Sequence, residues 1–179
     1  MLFRSNSAFA LWPDAPTAGV LIEAIYVVEV LAPPQLHLDR FLPPTPVRVL
    51  LNHKRAELTT EIPAEQMHGK LAKGDPSLLA AQLEELSSLL PGMIKITEKI
   101  AERQRQAIIT SSTAAAQNLL APEIARLEQL QQINPAIRTE EIELAKEDLT
   151  RSVEHLKNAT LRLDAVRLIL ANGKTVASR

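Results

Sequence analysis

The sequence predicts an α+β fold in which an antiparallel β-sheet of three to five strands precedes long α-helices that form an antiparallel hairpin. Residues 19–31 are rich in β-branched side chains and are bounded by Gly19 and Pro33, which is typical of a long strand. After residue 75, leucine, isoleucine and alanine recur at helical spacing. We therefore divide the chain into a β-rich part at 1–75, a helical part at 76–172 and a flexible tail at 173–179.

Composition limits the classes of function. The 179 residues include 20 basic and 21 acidic side chains, a formal net charge of −1, so no overall field attracts nucleic acid or an anionic membrane. Cysteine is absent, which excludes disulfides and thiolate metal sites. The first residues do not lead into a signal-peptide pattern, and no apolar run is long enough to cross a bilayer. These features predict a cytoplasmic protein.

The first third of the chain predicts several strands. From Val20 to Val30 every second side chain is aliphatic or aromatic, which favours a central strand with one face on the core. Trp12, the single tryptophan, is predicted to anchor that core. Shorter strands are predicted at 7–12, 35–39, 47–51 and 57–62, the last two forming a hairpin.

The remainder predicts helices punctuated by prolines. Pro91, with the glycine after it, is expected to interrupt the first helix, and Pro122 is expected to kink or restart the next. After a turn at Asn134-Pro135, a last helix is expected to run from Thr139 to Gly173. Its apolar heptad consists of Ile142, Leu149, Leu156, Leu163 and Leu170.

No catalytic or metal site is predicted. Glu23 and Glu29 lie six residues apart on one strand face, about 20 Å along the strand, which is too far for two carboxylates that act as acid and base. We interpret both as solvated or arginine-paired. The four histidines lack metal-ligand spacing, and Gly69-Lys70 lacks the rest of a phosphate-binding loop.

A basic ridge is predicted on the first long helix, at Lys95, Lys99, Arg103 and Arg105. One interpretation is a solvated face that pairs with neighbouring glutamates. The other is a surface that contacts nucleic-acid phosphates.

Residues 40–48 form a proline-rich connector. Each proline fixes φ, removes a backbone donor and pushes the preceding residue toward extended geometry. This segment is therefore predicted to be a stiff link between strands, and neither a helix nor a central strand.

Several stretches of the chain together resemble the C-terminal region of the RapA (HepA) family, bacterial RNA-polymerase-associated ATPases of the Snf helicase-like class. The most distinctive is the connector, Arg40-Phe41-Leu42-Pro43-Pro44-Thr45-Pro46-Val47-Arg48. The others are 21–29, 32–33 with 35–38, 125–128 with 133–138, and 161–169. They cover essentially the whole chain in the family's order.

The resemblance implies that this chain is the non-catalytic C-terminal accessory domain of a longer motor protein. Such proteins bind core RNA polymerase and use ATP to recycle it after transcription. ATP and magnesium are expected only in two upstream RecA-like lobes, so no cofactor is expected in this chain. The expected partners are core RNA polymerase and those lobes. Nucleic acid is expected to be contacted through the parent protein. The expected location is the bacterial cytoplasm, with association to the nucleoid through polymerase.

The resemblance also makes the connector a candidate partner-contact segment, although a structural role for its prolines is the first interpretation. The residues concerned are Arg40, Phe41, Pro43, Pro44, Pro46 and Arg48. Two other functions remain open: a nucleic-acid contact module that uses the basic ridge, and a dimerisation arm built from the last heptads. A monomer is expected, because an antiparallel hairpin can bury the apolar seam within one chain.

Overall fold

The computed structural model describes residues 9–75, 77 and 83–173. The predicted tail beyond Gly173, and most of the predicted start of the helical part at 76–82, lie outside these residues. The elements in chain order are β1 (Phe9–Ala15), β2 (Gly19–Glu29), two 3-10 turns (Pro34–Leu36 and Leu38–Arg40), β3 (Thr45–Asn52), α1 (Ala64–Met67), β4 (Ala72–Lys73), α2 (Leu83–Gln131), α3 (Thr139–Lys157) and β5 (Thr160–Gly173).

A five-stranded sheet with two long helices confirms the predicted α+β class and the upper end of the predicted strand number. The strands lie in the order β3-β2-β5-β1-β4. The sheet is mixed and not wholly antiparallel, because β1 runs antiparallel to β4 but parallel to β5. Phe9 lies opposite Leu168 and Leu11 opposite Leu170, before the register shifts beyond Trp12.

The prediction that the last helix continues to Gly173 is wrong. Helix α3 ends at Lys157, and the residues from Thr160 onward form β5, the middle strand of the sheet. This stretch carries a heptad of leucines but also a strand alternation, in which Ile169 and Ala171 are buried. Insertion between β2 and β1 favours the strand over the helix, because it gives the β5 backbone hydrogen-bonding partners on both edges.

The strand predicted at 35–39 is replaced by the two 3-10 turns. They meet at His37, whose φ of 47° reverses the chain direction locally. Leu36 and Leu38 are both buried. The sequence alternation therefore reflects two turns that each bury one leucine, and it does not distinguish them from a strand.

Of the two strands of the predicted hairpin, only the first, 47–51, is a strand in the structure, as part of β3. Within 57–62, Glu57 forms an isolated bridge with Leu51, and the Leu58 N–H donates to the Leu50 carbonyl at 2.8 Å. The backbone N–H of Leu50 then donates to the Thr59 hydroxyl at 3.0 Å. A side chain thus takes the place of the next backbone acceptor, which ends the strand pairing.

Helix α2 spans 49 residues without the breaks predicted at Pro91-Gly92 and Pro122. Both prolines are exposed, so their rings displace no core side chain. Buried Met93 and Ile124 lie two residues beyond them and attach the helix to the protein. Tertiary packing therefore outweighs the local cost of each missing donor. Within the described ranges, no helix is long and apolar enough to span a membrane.

The long helices form the predicted antiparallel hairpin. A turn at 132–138 connects them. Across this turn, Gln131 at the end of α2 donates to the hydroxyl of Thr139 at the start of α3, at 3.1 Å. Further from the turn, Lys146 of α3 pairs with Glu128 of α2 at 2.6 Å. Later residues of one helix thus face earlier residues of the other.

The chain forms two compact units. Of the described residues, the first unit comprises those within 1–26, 47–102 and 163–179, and the second comprises those within 27–46 and 103–162. In the first unit Trp12 is only 1% exposed, which confirms its predicted place in the core. Its core cluster also contains Leu21, Leu50, Leu58, Ile62, Met67 and Ile169.

Candidate interaction site

Arg40 and Phe41 form the exposed start of the connector. The Arg40 guanidinium lies over the Phe41 ring, 4.6 Å from its centroid. Arg40 is exposed and Phe41 is half-buried, whereas the next residue, Leu42, is buried. The chain is anchored by the leucine while the stacked pair stays accessible, so a partner can reach the guanidinium.

The three prolines of the connector are exposed and lead into the first strand of the sheet order. Pro46 has no N–H and is the second residue of β3, an edge strand, where an outward-facing backbone donor is not needed for pairing. The Thr45 hydroxyl donates to the Pro43 carbonyl at 2.7 Å and fixes the turn around Pro44. The predicted stiff link between strands holds only in part, because 45–48 already belong to the edge strand β3 and 35–39, on the other side of the connector, forms turns.

Arg48, the last residue of the connector, is half-buried and makes its contacts within the first unit. Its Nε donates to Glu23 Oε1 at 2.6 Å, and its Nη1 donates to the Ile62 carbonyl at 2.8 Å. A third contact reaches Met67 Sδ at 2.9 Å. Arg48 therefore has a structural environment, and it belongs to a different compact unit from Arg40.

Glu23 and Glu29 are both paired with arginines, which confirms one of the two interpretations given to them. Glu23 is 6% exposed and lies between Arg48 of β3 and Arg167 of β5, with Arg167 Nη1 at 3.3 Å. Glu29 pairs with Arg162 Nε at 3.1 Å. Each carboxylate joins β2 to a neighbouring strand, and neither is placed to transfer protons to a substrate.

Three of the four basic-ridge residues are exposed on α2. Lys95, Lys99 and Arg103 follow each other at intervals of four and lie on one side of the helix. Arg105 is about 200° around the helix from Arg103. It is half-buried and donates to the Ala159 carbonyl. The structure thus separates Arg105 from the other three, and their contact with nucleic acid stays a prediction.

A groove in the second unit lies among the two 3-10 turns, α2 and α3. Its cavity volume is about 190 Å³, and it is open to solvent along part of its length. The floor is aliphatic, formed by side chains that are buried or half-buried. They are Leu36, Leu120, Ile124, Leu127 and Leu149.

The two rims of the groove differ in their free hydrogen-bonding capacity. On the helical rim, Glu123 accepts two bonds from Arg126, at 2.6 and 3.0 Å, which lower the pKa of the Glu123 carboxyl. Asp148 has Arg151 at 3.8 Å. Both carboxylates of this rim therefore already have a cation within their own helix.

The opposite rim carries exposed donors on the 3-10 turns: Gln35, His37 and Arg40. Within the part of the chain that the structure describes, none of the three has a side-chain hydrogen bond or ion pair to another residue, apart from the stacking of Arg40. Sequence reasoning named Arg40 as a candidate partner contact but missed Gln35 and His37, because it assigned 35–39 to a strand. The signal was present, because 35–38 is one of the stretches that resemble the family.

The described residues contain no group of three or more histidine, aspartate or glutamate side chains that could hold a metal ion. The groove is also smaller than the roughly 300 Å³ at which small-molecule pockets usually begin. A groove of this size with an aliphatic floor can take small aliphatic groups.

Comparison with known proteins gives a consistent result. The model of the family described as "RNA polymerase recycling family C-terminal" (RapA_C) matches residues 4–171. The RNA polymerase-associated protein RapA of Proteus mirabilis is 37% identical over 155 residues, 87% of this chain. The RapA proteins of Sodalis glossinidius and Yersinia pestis are 37% and 36% identical, over 92% and 87% of this chain. The chain spans 16% to 17% of the length of these relatives.

Proposed function

Since this chain belongs to the RNA polymerase recycling family C-terminal, RapA_C, we propose that it is a non-catalytic accessory domain of a longer RNA-polymerase-associated ATPase. The single observation that carries this proposal is the family match over residues 4–171. Relatives that carry the name RNA polymerase-associated protein RapA align along most of this chain and support the same conclusion.

The accessory role is supported by how the chain uses its charged groups. Glu23, the buried carboxylate, is held between two arginines, and Glu29 has an arginine of its own. Such pairs join neighbouring strands, and neither of these two carboxylates is free to act as a base. ATP and magnesium would then be bound by the motor lobes of the parent protein, and this chain would supply a surface for core RNA polymerase and for those lobes.

The proposal is tested by removing residues 1–179 of this numbering from the parent protein. We expect weaker binding to core RNA polymerase and fewer rounds of transcription in a recycling assay, while ATP hydrolysis by the motor persists. If the shortened protein bound and recycled polymerase as well as the intact one, the domain would be dispensable and the proposal wrong.

A second measurement tests the non-catalytic part. The purified chain, freed of any motor protein, is incubated with ATP and magnesium in the presence and absence of core RNA polymerase. We expect phosphate release at the level of a buffer blank. ATP turnover that follows the chain through successive purification steps would overturn this part.

A further inference from the structure

We infer that the groove of the second unit is a docking site for a short peptide segment of RNA polymerase in which an aliphatic side chain lies beside an acidic one. The identity of the partner rests on the proposed function. The chemistry of the segment rests on the groove alone, and the two can be tested separately.

The floor of the groove selects an aliphatic anchor. Leu120, Leu127 and Leu149 are half-buried and keep part of their side chains in contact with solvent. The same floor contains Leu36 and Ile124, which are buried. Covering this surface is favourable by about 25 cal/mol for each Å² removed from water. A cavity of about 190 Å³ is suited to one or two aliphatic side chains and is too small for a nucleotide or a cofactor.

The rims select an acidic neighbour for that anchor. Glu123 and Asp148 have Arg126 and Arg151 as partners, so their charge is already compensated. Arg40 has no carboxylate partner among the described residues, which leaves one uncompensated positive charge at the groove. A carboxylate of the incoming segment would satisfy it, whereas a lysine there would be repelled.

Arg40 is preorganised for this contact. The contact with the Phe41 ring, at 4.6 Å from the centroid, restricts the Arg40 side chain without using the hydrogen-bonding capacity of its N–H groups. A stacked arginine loses less side-chain freedom on binding than a free one, and its fork can take a carboxylate through two bonds. Leu42, directly after the pair, is buried and fixes the position of the rim.

The backbone of the donor rim supports the same assignment. His37 has a φ of 47°, a left-handed conformation that is unfavourable for a residue with a β-carbon. This conformation joins the two 3-10 turns and puts Gln35, His37 and Arg40 along one edge of the groove. The strained residue thus serves to align three donors that the described chain itself does not use.

The chemistry is tested by NMR titration of the whole chain with two hexapeptides. One has a central leucine pair flanked by aspartates, and the other has the same leucines flanked by lysines. We expect only the acidic peptide to shift the methyl resonances of Leu36, Leu127 and Leu149. Arg40→Glu should weaken its affinity at least tenfold, whereas Lys54→Glu, an equal charge change at an exposed turn of the first unit, should leave it unchanged.

Equal shifts with both peptides, or shifts confined to other parts of the chain, would overturn the acidic–aliphatic specificity.

The partner is tested by binding the wild-type chain, Arg40→Glu and Lys54→Glu to core RNA polymerase. We expect at least a tenfold loss for Arg40→Glu and none for Lys54→Glu, with unchanged melting of both. If both variants bound polymerase as wild type does, the groove would not be its docking site. If the wild-type chain did not bind polymerase but bound the acidic peptide in the groove, the proposed function would fail and the groove chemistry would stand.

Discussion

Glu23 shows at the scale of single residues how the sheet is held in register. Its carboxylate accepts from Arg48 on one neighbouring strand and lies 3.3 Å from Arg167 on the other. Because Glu23 is 6% exposed, removing its charge would leave two guanidinium groups facing each other with no anion between them. The cost of losing one partner of a buried pair is larger than the net worth of the pair.

We therefore expect Glu23→Ala to lower the free energy of unfolding by about 3 kcal/mol, measured by urea denaturation. Glu29→Ala is the matched control, because Glu29 and its partner Arg162 are both more exposed, with 30% and 52% of their side chains accessible. It should cost less than about 1 kcal/mol. Equal losses in the two variants would mean that the burial of Glu23 has no energetic consequence.

Tyr26 forms the second informative contact at this scale. Its hydroxyl lies 2.9 Å from the Thr97 hydroxyl, which itself donates to the Ile94 carbonyl at 2.8 Å. Since Thr97 has only one proton to give, Tyr26 must be the donor to Thr97. Burial raises the pKa of Tyr26; the Thr97 hydroxyl opposes this shift, because it can turn and donate to the phenolate once Tyr26 has lost its proton, and the nearby Glu98 carboxylate adds to it.

The raised pKa of Tyr26 predicts a loss of stability in alkali. Protonated Tyr26 contributes to folding stability because its pKa is higher in the folded state than in the unfolded state. This contribution is fully present below the unfolded pKa, about 10, and is lost as the pH rises through the folded pKa. Tyr26→Phe should remove this alkaline loss and cost about 1 kcal/mol at neutral pH. Because Tyr26 is the single tyrosine, phenolate absorbance reports its pKa directly. A wild-type midpoint at or below 10 would contradict the prediction.

At the scale of elements, β5 is the segment whose local pattern is compatible with two structures. As a continuation of the α3 heptad, Leu163 would be a seam residue. As the middle strand of the sheet, β5 instead leaves Leu163 42% exposed and buries Ile169 completely, in the same core cluster as Trp12. The two alternatives therefore assign opposite importance to these two side chains.

Alanine substitutions at these positions distinguish strand from helix. Ile169→Ala should lower the free energy of unfolding by about 2–5 kcal/mol, because it opens a cavity in the core. Leu163→Ala should cost less than about 1 kcal/mol, because its side chain is already partly solvated. Urea denaturation measures both. A larger loss at Leu163 than at Ile169 would favour the helix.

At the scale of the whole molecule, the first compact unit is discontinuous in sequence. Its sheet places β5, the last of the described elements, between β2 and β1. The unit therefore lacks its middle strand until the final segment is available. Contacts between segments so far apart in sequence form slowly, because loop closure must come before the contacts that reward it.

This arrangement predicts that a chain ending at Arg162 cannot complete the first unit. Trp12 is 1% exposed in the intact protein, and its neighbour Ile169 would be missing. We expect the tryptophan emission to move to longer wavelength and amide protection to be lost in β1 and β2. A truncated chain that kept the emission maximum of the intact protein would show that the unit folds without its middle strand.

The resemblance to a known family identified the family and marked the connector, but it did not locate the groove. Arg40 lines the donor rim, whereas Arg48, eight residues later, forms an ion pair within the other unit. No spacing rule separates these two arginines, since their environments depend on segments distant in the chain. The groove floor likewise combines a leucine of the 3-10 turns with leucines of two helices.

Sequence by itself determined the α+β class, the long strand β2, the burial of Trp12, the arginine pairing of Glu23 and Glu29 as one of two interpretations, and the hairpin of α2 and α3. These follow from local periodicity, side-chain size and the short turn at Asn134-Pro135. Tertiary structure alone decided that residues 160–173 form a strand, that α2 continues through its prolines and that 35–39 forms turns. In each case the local preference was weak or divided, and burial against distant residues supplied the larger free energy.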